Sequence, residues 1–257
     1  MKERLDKLLV SKRLVKSREL ARALIMEGKA FVDGQKVTKP GTLVGETSGI
    51  FLKEAVRPFV GRGGLKLEAA LVYFNIDAVD RVVMDVGSST GGFTDCLLKR
   101  GAKKVYCIDV GYGQLAWSLR TDPRVILLER TNIRYLESLI KDQASRFSGP
   151  EFEDLIKDNI DMATIDVSFI SLTKVIPSVM NFLKEVSSVL ALVKPQFEVG
   201  KGEVGKGGIV REEEKRLAAV KAVEEELEKL GFRTAGIFQS PVHGQKGNIE
   251  YFLYGKK

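Results

Sequence analysis

From residue 81 onward the sequence alternates short apolar runs with stretches of helical period, and this alternation narrows the possible folds more than any other feature. Candidate strands lie at 81–86, 103–110, 124–128, 160–167, 188–193, 232–238 and 249–253. The clearest helix, 211–230, places Leu217, Val220, Val223, Leu227 and Leu230 on one stripe and stops at Gly231. Strands joined by helical crossovers must run parallel, so the first five predict a doubly wound α/β sheet. The last two are joined by the non-helical SPVHGQKGN, which predicts an antiparallel hairpin. The expected architecture is therefore a Rossmann-like domain with a seven-stranded, mostly parallel sheet, preceded by a small α+β domain.

The amino-terminal 60 residues read differently. Leu5, Leu8 and Leu9 have the spacing of one helix face. A second helix is expected to start with Ser17 as N-cap, to turn Leu20, Ala21 and Leu24 inward, and to stop at Gly28. Two short runs around Asp33-Gly34 predict a hairpin. Of the chain's net charge of +7, +6 falls in these first 60 residues. The cations surrounding the small core are Arg4, Lys7, Lys12, Arg13, Lys16, Arg18, Arg22, Lys29 and Lys36. A basic module attached to a nearly neutral one suits a polyanion, with nucleic acid ahead of an anionic membrane surface. The expected division is a basic domain at 1–56, a linker at 57–63 rich in glycine with one proline, and the larger domain at 64–257.

Several chemistries are excluded early. Two cysteines, Cys96 and Cys107, offer neither a disulfide framework nor a paired metal motif, and a single histidine, His243, argues against multi-histidine zinc sites and Ser-His-Asp hydrolysis. No metal is called for. No apolar run approaches the length of about 18 residues that a membrane span needs, and the amino terminus is charged where a signal peptide is apolar. The expected setting is the cytoplasm, with no membrane partner.

The segment Asp85-Val86-Gly87-Ser88-Ser89-Thr90-Gly91-Gly92-Phe93 connects the first strand of the sheet to a helix, where open α/β sheets bind ligands. Its spacing departs from the pyrophosphate-binding G-x-G-x-x-G. Glycines allow close backbone approach and Asp85 could meet a ligand amine, so a cofactor bearing an amino acid fits better than a diphosphate. Asp109, at the end of the second strand, is placed to accept both hydroxyls of a ribose, and Asn132, beyond the third, to meet an adenine edge. Four ionisable residues complete the set: Lys66 ahead of the sheet, Asp166 after strand four, Lys194 after strand five and Glu250 at the start of the last strand. All are expected to converge at the carboxyl edge of the sheet.

These motifs carry a resemblance. The stretch from RLDKLLV to GTLV resembles the alpha-L RNA-binding module also attached to pseudouridine synthases and tyrosyl-tRNA synthetases. The larger domain resembles the FtsJ-like ribose 2′-O-methyltransferases, which carry a Lys-Asp-Lys-Glu tetrad in this chain order. Through GRGGLKL, DVGSSTGGFTD, DVSFISL, LVKPQFE and HGQKGNIEY, the whole chain resembles the TlyA (hemolysin A) family of ribosomal RNA 2′-O-methyltransferases. The resemblance implies S-adenosyl-L-methionine as cofactor and ribosomal RNA or a ribosomal subunit as partner. In that reading Lys194 handles the 2′-hydroxyl, Lys66 holds the nucleotide, and Asp166 and Glu250 fix the two ammonium groups. Two other readings are a non-catalytic ribosome-assembly scaffold and, from the family's older name, a membrane-lysing protein.

One stretch invites a different assignment. Gly200 to Lys206 follows the spacing of a phosphate-binding loop, but Gly207 stands where a Ser or Thr must hold magnesium. The expected role of this stretch is a mobile flap beside the RNA entrance, with Lys201 and Lys206 facing phosphates.

Overall fold

The computed structural model describes residues 2–15, 17–52, 58–142, 155, 160–200 and 202–257, and divides into two compact units, Met1–Arg57 and Pro58–Lys257. In the first, β1 (Lys2–Arg4) runs into α1 (Leu5–Ser11), followed by α2 (Arg18–Met26), β2 (Ala30–Val32), β3 (Gln35–Val37), β4 (Leu43–Gly45) and β5 (Ile50–Leu52). Ser17 caps α2 by accepting from the Leu20 amide at 3.2 Å, and Gly28 ends it at φ 69°. The hairpin β2–β3 turns at Asp33 and Gly34, both at positive φ. Two pairings go beyond it: β5 adds a third strand to the hairpin, and β1 pairs with β4.

The phase of α2 differs from the expectation. Ala21 and Ile25 are buried with Leu5, Leu8 and Leu9, whereas Leu20 is exposed. The inner stripe of this short helix is narrow, and Leu20 lies outside it. Asp6 is fully buried in this core, and Arg4 and Arg18 both close on its carboxylate at 3.0 Å.

The second unit contains α3 (Gly63–Tyr73), β6 (Val82–Val86), α4 (Gly92–Lys99), β7 (Lys104–Ile108), α5 (Trp117–Arg120), β8 (Val125–Leu128), α6 (Ile133–Lys141) and β9 (Ile160–Ile165). It continues with α7 (Ile176–Met180), β10 (Leu183–Val193), α8 (Pro195–Glu198), α9 (Glu213–Lys229), β11 (Arg233–Gln239) and β12 (Tyr251–Lys256). The strands form one seven-stranded sheet in the order β11-β12-β10-β9-β6-β7-β8. The run from β8 to β10 is parallel, and β12 lies antiparallel between β10 and β11. One hydrophobic layer packs on each face of this sheet.

Helix α3 buries Lys66, Leu67, Ala70 and Leu71, while Leu65 and Val72 face out. Leu217 is likewise exposed on α9, and Val220, Val223 and Leu227 carry its contact with the sheet. Glycines at the start of α3 and α4 permit close packing. A Cβ on Gly92 would stand 2.9 Å from the Gly64 amide nitrogen, and one on Gly64 would overlap the Phe59 ring. Here the helix ends meet backbone to backbone.

The Asp6 cluster sets a pH dependence. The Arg4 guanidinium, reinforced by Arg18, holds the Asp6 carboxyl down at about 2 against an ordinary value of 3.8. A depressed carboxylate contributes stability above its unfolded pKa and loses it as pH falls through the folded one. The urea midpoint reported by the Leu8 and Leu9 amides should therefore fall between about pH 4 and pH 2. Asp6→Asn should unfold at lower urea at neutral pH and show a shallower acid limb; parallel limbs for both proteins would contradict this assignment.

Candidate active site

The site is built on the carboxyl ends of the parallel strands. Past β6 the chain turns at Gly87, whose φ of 87° and close approach to Asp166 together require glycine; an added Cβ would lie 2.5 Å from the Asp166 carbonyl oxygen. The Gly87 amide donates to the Ile108 carbonyl at 2.8 Å and the Asp166 amide to the Val86 carbonyl at 2.9 Å, so the loop is stitched to both neighbouring strand ends. Ser88, Ser89 and Thr90 follow, and Gly91, at φ 94°, opens α4 with Gly92 and Phe93.

Two lysine–carboxylate pairs stand across this loop. Lys66 Nζ meets Glu250 Oε2 at 2.6 Å, with both side chains almost fully buried. Lys194 Nζ lies 2.6 Å from Asp166 Oδ1 and donates to Ser168 Oγ at 2.9 Å. Glu250 immediately precedes β12, and Gly244 makes room for it: a Cβ there would stand 1.9 Å from Glu250 Oε1. All four residues line one cleft of about 260 Å³, together with Ser88, Phe93 and other residues. The four positions expected to converge are thus brought together. Burial of both lysines requires their paired carboxylates, because an unpaired buried charge is several kcal/mol less stable.

A second cavity of about 520 Å³ adjoins the first and shares Gly87, Ser89, Asp166, Ser168, Phe169 and Gln245 with it. Asp109 lines this second space, with Oδ2 accepting from the Ser89 amide at 2.7 Å and Oδ1 from the Gly111 amide at 2.6 Å. Each oxygen keeps a lone pair for a hydroxyl. Asn132 also lines it, while its side chain caps α6 by accepting from the Arg134 amide at 3.1 Å.

Asp85 is placed elsewhere. It is fully buried behind the loop, lines neither cavity, and accepts from Thr94 at 2.6 Å and Thr164 at 3.2 Å. Its physical role here is to tie the first turn of α4 to β6 and β9. Gly91 likewise lines neither cavity; it packs against Leu119 and Leu115, where a Cβ would clash. Ser88 Oγ is buried in the first cleft with no hydrogen-bond partner among the described residues, a polar atom left for a ligand.

In the basic unit, Lys7, Lys12, Arg13 and Arg22 are exposed, and Arg4 and Arg18 are engaged by Asp6. Lys29 pairs with Glu27, and the Lys36 side chain lies over Gly28. Lys16 falls outside the described residues, as does Lys201 of the glycine-rich stretch. The chain just past that stretch is anchored: buried Asn248 donates to the Gly208 carbonyl at 2.9 Å and accepts from the Val210 amide at 3.2 Å. Asn248, Ser168, Thr94 and Thr164 were not singled out in the sequence. Their only signal is proximity in sequence to Glu250, Asp166, the glycine loop and β9.

A seven-stranded sheet with its antiparallel β12, a glycine loop after β6 and a carboxylate after β7 defines a methyltransferase fold. Residues 59–257 match the family described as FtsJ-like methyltransferase, and residues 3–49 match the S4 domain. The chain belongs to the FtsJ-like methyltransferase family and, within it, to the TlyA (hemolysin A) group. It is 44% identical over 252 residues, 98% of this chain and 88% of the relative, to the 16S/23S rRNA (cytidine-2′-O)-methyltransferase TlyA of Mycobacterium tuberculosis. To Hemolysin A of Brachyspira hyodysenteriae it is 38% identical, with 98% of each chain covered. Among solved structures, a protein described as a hemolysin from Streptococcus thermophilus superposes with a TM-score of 0.72 at 39% identity, covering 100% of this chain and 88% of that one.

The buried Asp85 yields a testable pH effect. Burial pushes its carboxyl up to about 7, with the Thr94 and Thr164 hydrogen bonds opposing. The folded chain keeps a proton that the unfolded chain releases near pH 4, so stability falls as pH rises from about 4 to about 7 and levels off above. Asp85→Asn should gain thermal stability relative to the parent across that interval. A pH-independent difference between the two melting temperatures would refute the placement.

Proposed function

We propose that the protein transfers a methyl group from S-adenosyl-L-methionine to a ribose 2′-oxygen of ribosomal RNA, with cytidine as the acceptor nucleoside. The observation that carries this reading is the pair of buried lysine–carboxylate contacts facing one cleft, continuous with the cavity at Asp109. The acceptor and nucleoside follow the relative from Mycobacterium tuberculosis, whose described activity is cytidine-2′-O methylation of 16S and 23S rRNA.

The residues present suit this cofactor. Asp109 retains acceptor capacity for ribose hydroxyls, Asn132 stands at the far wall of the same cavity, and the unpartnered Ser88 hydroxyl faces the tetrad cleft. When bound, S-adenosylmethionine supplies an electrophilic methyl group on a sulfonium and departs as the neutral thioether. The protein must hold the 2′-oxygen in line with that methyl and let its proton leave. Lys194 Nζ, held between Asp166 and Ser168, donates a hydrogen bond to the 2′-oxygen and orients it, and the hydroxyl proton passes to water as the oxygen–carbon bond forms. Lys66, held by Glu250, positions the target nucleotide.

The basic residues of the amino-terminal unit supply phosphate contacts to structured RNA, an electrostatic term that weakens with salt. With ribosomal RNA as substrate, the expected setting is the cytoplasm. The lytic reading finds no support in the fold: among the described residues no helix is long and apolar enough to cross a membrane.

Lys194→Ala should abolish transfer of tritiated methyl groups to ribosomal RNA while the cofactor dissociation constant stays within a few-fold of the parent. An active Lys194→Ala enzyme would overturn the assignment. Parent protein that releases dye from liposomes and transfers no methyl group would overturn the function.

A further inference from the structure

The parallel ladder that holds β9 beside β10 ends at the pair Ile165 and Ala191. Asp166 and Ser168 lie beyond it after β9 and Lys194 beyond it after β10, so the β9–β10 pairing does not by itself fix the Lys194 contacts. The first of these segments, residues 166–171, passes through Phe169 at φ 65°, a left-handed conformation that disfavours a side chain of this size. Something must hold it there.

Glu198, the last residue of α8, reaches across. Its Oε2 accepts from Ser171 Oγ at 2.6 Å and its Oε1 from the Leu172 amide at 2.9 Å. Ser171 Oγ also accepts from the Thr173 amide at 3.2 Å and lies 2.7 Å from Thr173 Oγ1, so the carboxylate grips the start of the short helical turn Leu172–Lys174. Between this contact and the Lys194–Asp166 pair, the Phe169 and Phe197 rings pack with centroids 5.0 Å apart. Glu198 lines neither cavity, and no basic group is paired with it among the described contacts. This half-buried carboxylate is held by a hydroxyl and an amide, an arrangement that carries a desolvation cost.

We propose that Glu198 is a positioning residue for the reaction. It latches the segment after β9 to the turn after β10, holding Lys194 Nζ against Asp166 and Ser168 without touching substrate or cofactor. This rests on the methyl-transfer reading above. Glu198→Ala would free the two segments to drift apart, and a displacement of about 1 Å at a reacting group lowers rates by roughly 100-fold.

The test compares Glu198→Ala, Glu198→Gln and Ser171→Ala in the full chain. Three quantities are measured: the single-turnover methyl-transfer rate at saturating cofactor and RNA, the cofactor dissociation constant, and hydrogen exchange at the Leu172 amide. Glu198→Ala should lose about 10- to 100-fold in rate with cofactor affinity within a few-fold, and exchange at Leu172 should accelerate. Glu198→Gln should recover most of the rate, because its amide oxygen accepts from Leu172 and its NH₂ donates to Ser171. Ser171→Ala, a smaller change that leaves the fold intact if the alanine variant at 198 does not, should show part of the same rate loss. The proposal fails if Glu198→Ala keeps the parental rate, if Glu198→Gln loses as much as Glu198→Ala, or if cofactor affinity falls in step with rate. Leu172 exchange reads the latch without reference to activity, so a parent protein that transfers no methyl group would fail the functional reading while the latch stays measurable.

Discussion

The buried ion pair between Lys66 and Glu250 joins residues 184 positions apart in sequence, and the rest of the site depends on it. Neither charge is tolerable alone in that environment, and together they pin the amino-terminal turn of α3 to the entrance of β12. The pair forms only when the last strand has inserted antiparallel between β10 and β11, which makes the cleft a product of the completed sheet. Gly244 is part of the same constraint, since any side chain there would displace the Glu250 carboxylate.

A second constraint is backbone proximity. Gly87 lets the loop after β6 touch the Asp166 carbonyl, and Gly92 lets α4 meet the start of α3 at Gly64. These approaches bring the loop, Lys66 and Asp166 around one small volume. Side chains then divide the work: Asp85 anchors α4 from behind, Asp109 braces the loop through the Ser89 amide, and Asn248 ties the chain just past the glycine-rich stretch to the turn that leads into Glu250. What remains facing the cleft is a set of hydrogen-bonding groups suited to holding a hydroxyl.

Much of this was legible in the sequence because it depends on order along the chain. Alternating apolar runs specify a parallel sheet, and residues placed just past successive strands must share its carboxyl edge, so the tetrad could be located before any distance was known. The hairpin SPVHGQKGN likewise announced the antiparallel strand. Less legible was anything that depends on the phase of a helix or on a side chain's direction. Leu65 and Val72 of α3 are exposed because Lys66, an apparently polar position, belongs to the buried face once Glu250 satisfies it. Asp85 has the same sequence context whether it points into the cleft or behind the loop, and Thr94 and Thr164 decide the matter. No motif in the sequence marks Glu198, and only the tertiary contact with Ser171 and Leu172 distinguishes it.

The account's central claim is that the paired-lysine cleft methylates a ribose oxygen of ribosomal RNA. Mapping modified nucleotides on RNA from matched strains with and without the gene tests it most directly. The account predicts a 2′-O-methyl group on a cytidine that is present with the gene and absent without it. Identical maps from the two strains, or a difference confined to a methylated base, would contradict it.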